Sequence, residues 1–174
     1  MNILITGPPG IGKTTILKQI ERKIQDQGHA IGGMYCPEIR ENGRRTGFNI
    51  IDIASGQKGI LASIHNTTGP MVGRYKVSLN DIQEIGIYSL ENAMETSDYV
   101  LIDEIAPMEL KSSNFSQTVW RVMESEKLVI AVIHQRSNHP FILKVKSRKD
   151  VMIFCLTREN RDNVLENIME SLGL

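Results

Sequence analysis

At 174 residues, with 41% hydrophobic and 23% charged side chains, the chain has ordinary globular composition and suits one domain spanning 1–174. Lys plus Arg and Asp plus Glu both number 20, so net charge lends no support to a nucleic-acid partner, and no apolar run approaches a membrane span. Cys36 and Cys155 stand far apart, without metal-ligand spacing, and read as reduced thiols. "MNILITGPPG" lacks a signal-peptide pattern, and a cytoplasmic location is expected.

In chain order, "MNILIT" (1–6) reads as a short buried strand stopped by Gly and Pro. Residues 14–27 form a predicted helix, with Ile16, Leu17, Ile20 and Ile24 on one face and Gly28 at its end. Three strands are then expected in "AIGGMYCPEI", "TGFNIIDI" and "GILASI", joined at the turn signals "ENGR" and "SGQK". Such short connections predict an antiparallel β-meander inserted at about 30–64. Next come a helix over 78–95, a buried strand at 99–103, a helix near 115–125 and a strand at 128–133. A helix at 139–148, a last strand at 151–156 and a terminal helix complete the chain. Buried strands alternating with helices imply an α/β fold with a mostly parallel sheet between two helical layers.

Between the first strand and helix stands "GPPGIGKTT", which fits G-x-x-x-x-G-K-[ST] at Gly7, Gly12, Lys13 and Thr14. Polyphosphate is dense negative charge. A glycine-rich loop can turn successive backbone N–H groups toward it, and the following helix adds its dipole. Gly7, Pro8, Pro9, Gly10, Ile11, Gly12, Lys13, Thr14 and Thr15 are therefore the candidate phosphate-binding segment. Lys13 would reach the β- and γ-phosphates, and the Thr14 hydroxyl would bind Mg²⁺.

"YVLIDE" supplies the complementary half. An apolar strand ending in acid places Asp103 beside the loop as a metal ligand, and Glu104 at the strand end as the group that activates water. Two adjacent acids argue for a P-loop NTPase with a built-in catalytic carboxylate. In that RecA-like strand order another strand, here "LVIAVI", separates the loop strand from the acidic strand. Its end, "HQRSN", would then face the γ-phosphate. Glu109 has no secure role.

With these motifs the sequence resembles the small nucleoside-triphosphate phosphatases of thermophiles and archaea, which include the cancer-related nucleoside-triphosphatase of vertebrates. The resemblance runs through "GGMYCPEIRENGRRTGFNI", "VGRYKV", "IDEIAPMEL" and "LTRENR". It implies Mg²⁺-dependent hydrolysis of nucleoside triphosphates with loose base preference. It departs at Ala106, where many relatives have Gly, and at 134–136, a stretch not common to all members.

Arginines can stabilise charge on the transferring phosphoryl group. Arg136 is the first candidate by topology and Arg45, in the hairpin region, the second. Arg158 and Arg161, after the last strand, are candidates for stacking on a base. Two other readings share the loop: a small-molecule, nucleotide or polynucleotide kinase, and a non-catalytic nucleotide- or RNA-binding module.

Overall fold

The computed structural model describes the backbone of residues 1–174 and every side chain apart from that of Asp162. The described residues form one ten-stranded sheet. Its strands are β1 (Asn2–Thr6), β2 (Ile31–Tyr35), β3 (Glu38–Glu41), β4 (Arg44–Asp52), β5 (Lys58–Ser63), β6 (Met71–Val72), β7 (Tyr75–Val77), β8 (Tyr99–Ile105), β9 (Leu128–Ile133) and β10 (Val151–Cys155). The order is β10-β1-β9-β8-β2-β4-β5-β7-β6, with β3 paired to β4. β10, β1, β9, β8 and β2 run parallel, so their C-terminal ends share one edge. β9 lies between β1 and β8, as expected for the strand "LVIAVI".

Period-2 alternation sends side chains to two cores. Ile3, Ile5 and Leu101 join Leu17 and Ile20 of helix α1 (Lys13–Asp26) and Ile168 of α6 (Arg161–Leu172) on one face. Leu4, Val100 and Ile102 face α3 (Tyr88–Thr96), α4 (Ser113–Glu124) and α5 (Pro140–Lys146) on the other. Strands buried on both sides carry near-continuous apolar runs, which is why "NILIT" and "YVLID" stand out in the sequence.

Three features depart from a simple reading. The expected strand over 30–39 divides at Cys36 and Pro37. Its first part, β2, pairs parallel with β8 and belongs to the central sheet, whereas β3 forms a hairpin with β4. Proline cannot donate to a ladder, so the chain leaves the sheet there. β6 and β7 form an additional hairpin too short to register as periodicity. The helix over 78–95 is composite: α2 (Leu79–Asp81), a π-helical turn (Ile82–Ile87) and α3. The wide turn keeps Ile82, Ile85 and Ile87 all buried.

On α4, the Ser112 hydroxyl caps the first turn by accepting from Phe115 N at 3.2 Å, and Phe115 itself is fully buried. Trp120 lies beside Phe141, with the Lys144 ammonium 3.7 Å from its ring centroid, joining α4 to α5. Phe115→Ala is expected to cost about 3–5 kcal/mol of stability, lowering Tm by roughly 6–20 °C in a calorimetric scan.

Candidate active site

The loop after β1 adopts positive φ at Gly7 (150°), Gly10 (74°) and Gly12 (107°). At Gly7 an added Cβ would lie 2.7 Å from the Leu156 carbonyl oxygen, so a side chain there would push the loop off the end of the sheet. Gly12 is the N-cap of α1, with no side chain capping the helix and no acid in its first turn. The first N–H groups of α1 therefore have no partner within the helix and aim out of its N-terminus. Together with the helix dipole they make a site suited to an anion. Pro8 and Pro9 contribute no N–H, so the loop's donors come from the residues after them. The Lys13 ammonium donates to the Gly7 and Pro8 carbonyls, each at 3.0 Å.

A short hydrogen bond links the start of α1 to the end of β8. The Thr14 hydroxyl donates to Asp103 Oδ2 at 2.6 Å. Asp103 is only 5% exposed, and burial pushes its pKa up to about 6, the Glu104 charge adding to the rise while Thr14, Lys13 and Lys18 oppose it. Glu104 is half-buried; burial raises its pKa too, and Lys13 opposes the rise. The β8–β9 register breaks between Ile102 and Ile105, as at a bulge, and both carboxylates lie in the field of Lys13.

Glu109, left without a role by the sequence, is 2% exposed, and its Oε2 has no hydrogen-bond partner among the described residues. Burial, then the charges of Glu104 and Asp103, hold its carboxyl well above the usual range, with the Cys36 thiol opposing the rise. An acid is ordinarily assigned to the surface. The signal that marks this one is its place between Met108 and Leu110 in the segment following the acidic strand.

The remaining candidates lie in different places. Arg136 is exposed just beyond β9, with its backbone N–H donating to His134 Nδ1 at 3.3 Å. Arg45 is held apart in the β3–β4 hairpin: its guanidinium donates to Tyr75 Oη at 3.0 Å and pairs with Glu38 at 2.9 Å. Arg158 and Arg161 line a cleft of about 420 Å³ with Pro8, Pro9, Gly10 and Ile11. A second cleft, of about 360 Å³, is lined by Thr15 among others and shares Ile11 and Arg161 with the first. A turn closed by Thr157 N donating to Asn160 Oδ1 at 2.8 Å presents this segment beside the loop.

The donor set fits a hard divalent cation. Thr14 Oγ1 and Asp103 Oδ2 are oxygens already converged on one another, and a desolvated carboxylate gains most from a cation beside it. Among the described residues no cluster of three or more His, Cys, Asp or Glu is arranged to hold a metal. Mg²⁺ completed by phosphate oxygens and water needs only one or two protein ligands.

A phosphate loop opening α1, an acidic pair ending a parallel strand and a further strand between them define a P-loop NTPase. The chain belongs to the NTPase family, whose model matches residues 2–169. It is 45% identical over 172 residues to the nucleoside-triphosphatase THEP1 of Thermotoga sp. (strain RQ2), covering 99% of this chain and 95% of that one. The crystal structure of THEP1 from Aquifex aeolicus is similar over 100% of both chains, with a TM-score of 0.88 and 35% identity. The solution structure of a human cancer-related nucleoside triphosphatase is similar at a TM-score of 0.82 and 31% identity, covering 98% of this chain and 96% of that one. Among the described residues no helix is long and apolar enough to cross a membrane.

The carboxyl at Asp103 makes the metal-free fold sensitive to pH. Its folded pKa, about 6, lies above the ordinary aspartate value of 3.8, so its contribution is fully present below the lower value and is lost as pH rises through the upper. In chelator, thermal stability is expected to rise as pH falls from 7 toward 4, by roughly 3 kcal/mol from this group. Asp103→Asn should flatten that slope and raise the Tm at pH 8. A slope that Asp103→Asn leaves unchanged would remove Asp103 as its source.

Proposed function

We propose that this chain hydrolyses nucleoside 5′-triphosphates to the diphosphate and phosphate, with Mg²⁺ and with little discrimination among bases. The observation that carries the reading is the 2.6 Å Thr14–Asp103 contact, which joins the phosphate loop to the acidic strand in one site. The relatives named nucleoside-triphosphatases support hydrolysis in general.

Each group has a task in this reading. The N–H groups of the loop and of the first turn of α1 bind phosphate oxygens. Lys13 exchanges its loop carbonyls for the β- and γ-phosphates. Thr14 and Asp103 would hold Mg²⁺, which when bound draws charge from the phosphate oxygens. Glu104 accepts the proton of the attacking water or orients that water. Burial supports the role, since it raises the basicity of Glu104 above that of a solvated carboxylate. The Pro8, Pro9 and Ile11 walls with Arg158 and Arg161 suit stacking on any base, because every base presents a π face. Of the two arginines considered for the γ-phosphate, Arg136 follows β9, whose C-terminal end lies between those of β1 and β8. Arg45 would first have to leave Glu38 and Tyr75.

Phosphate release should follow addition of Mg²⁺ to ATP, GTP, CTP and UTP at comparable rates and stop in chelator. Glu104→Gln is expected to bind nucleotide as the wild type does and to lose roughly 10²–10⁴ in single-turnover rate. Equal turnover in that variant would remove Glu104 as the base.

A further inference from the structure

The parallel half of the sheet ends in an open edge. β10 pairs with β1 on one side, and among the described residues no strand lies on its other side. The Asn2 N–H donates to the Asp150 carbonyl at 2.9 Å, and the Leu156 N–H to the Thr6 carbonyl at 2.7 Å. Successive residues of a strand turn their backbone groups to alternate sides, so Met152 and Phe154 also face β1. Val151, Ile153 and Cys155 therefore turn their N–H and C=O groups outward. The Asn160 side-chain amide donates to the Cys155 carbonyl at 2.8 Å, which marks the C-terminal limit of the edge.

Nothing within β10 guards it. Sheet edges are ordinarily blunted by Lys, Pro, a bulge or extreme shortness. β10 has five residues, none of them charged or proline, and it pairs with β1 without a register shift. The opposite edge strand, β6, has only two residues. On β10 Met152 is 42% exposed and Ile153 43%, one on each face of the sheet, and Leu143 of α5 is 50% exposed.

We infer that β10 pairs antiparallel with β10 of a second copy of this chain, about a two-fold axis through Ile153, so that one sheet continues across two protomers. The inference is independent of the hydrolytic reading. A two-fold interface needs a surface complementary to itself, and an uncharged strand edge meets that need. Ile153 faces its own copy and exchanges two N–H···O=C bonds with it, while Val151 faces the partner's Cys155. The Cys155 carbonyl keeps a second lone pair for its bond. Five residues at about 3.3 Å each give an edge of about 17 Å. A sheet with a helical layer on each face is about 30 Å thick. Each copy then covers roughly 500 Å², about 1,000 Å² in total, the lower limit for a specific interface. The dimer is accordingly reversible, with a dissociation constant on the order of micromolar.

Sedimentation equilibrium of the full chain from roughly 1 to 500 µM is expected to show a monomer–dimer transition. Ile153→Lys sets like charges face to face and should keep the chain monomeric over that range. Ile153→Pro removes the outward N–H alone, leaves the ladder to β1 intact and should do the same. Both should keep the wild-type far-UV circular dichroism, and Ile153→Lys decides where the proline variant fails to fold. Val151→Cys, oxidised with diamide, should give a dimer linked through the exposed Cys155, because directly opposed residues have Cα atoms about 5.5 Å apart. Within one strand the two thiols stand about 13 Å apart, too far to bridge. Adding Cys155→Ser should abolish the link. A wild type that is monomeric at every concentration overturns the inference and leaves the edge to a strand of a different protein or to solvent. A dimer that folded Ile153→Lys leaves intact overturns it as well, since the interface then lies elsewhere. A dimer in which Val151→Cys forms no disulfide overturns the antiparallel register.

Discussion

The site depends on burying carboxylates where few countercharges reach them. Asp103 and Glu109 are nearly inaccessible and Glu104 is half-buried, and Lys13 is the cation whose field reaches both Asp103 and Glu104. Taken out of water, such groups either hold protons or gain strongly from a nearby cation. A triphosphate brings further negative charge. The loop answers with dipoles, the N–H groups at the start of α1, and with the mobile charge of Lys13. A divalent cation between Asp103 and the phosphates would then satisfy protein and ligand together, which explains how so acidic a corner can receive an anion.

The sheet brings these groups together because its central strands are parallel and end at one edge. β1 delivers the loop, β8 delivers Asp103 and Glu104, and β9 between them leads to Arg136. No two of the three segments are close in sequence. Their spacing is set by strand separation, a backbone property that surface change cannot easily alter. The distal half of the sheet turns antiparallel at β4 and carries Arg45, Tyr75 and Arg74 in a cluster of its own. The two halves thus differ: one carries the candidate site, while the other closes a hairpin around its own arginines.

What could be read from the sequence was local. "GPPGIGKTT" needs its residue types within nine positions, and a strand buried on both faces needs an unbroken apolar run, so the loop and the acidic strand were both visible before the fold was known. The class of strand order followed from the acidic pair. Harder to read were features set by contacts distant in sequence. β2 reads like the first strand of the meander because two glycines and Pro37 mask its partner, β8, almost seventy residues on. Glu109 has no secure role in the sequence, and only the packing of the segment after β8 buries it. Arg45 carries the same charge as Arg136, yet Glu38 and Tyr75 hold one while the other is exposed beyond β9.

An acidic corner of this kind burdens the ligand-free fold. Asp103, Glu104 and Glu109 all have pKa values above the ordinary carboxylate range, so each destabilises the native state at neutral pH relative to the unfolded chain. Two extensive apolar cores, one on each face of the sheet, offset that cost. Binding reverses it. A ligand that meets only the folded state adds stability as RT ln(1 + [L]/Kd). Here the same ligand would also relieve the repulsion among the acids. On the proposed function, folding would thus set these charges in place before substrate binds.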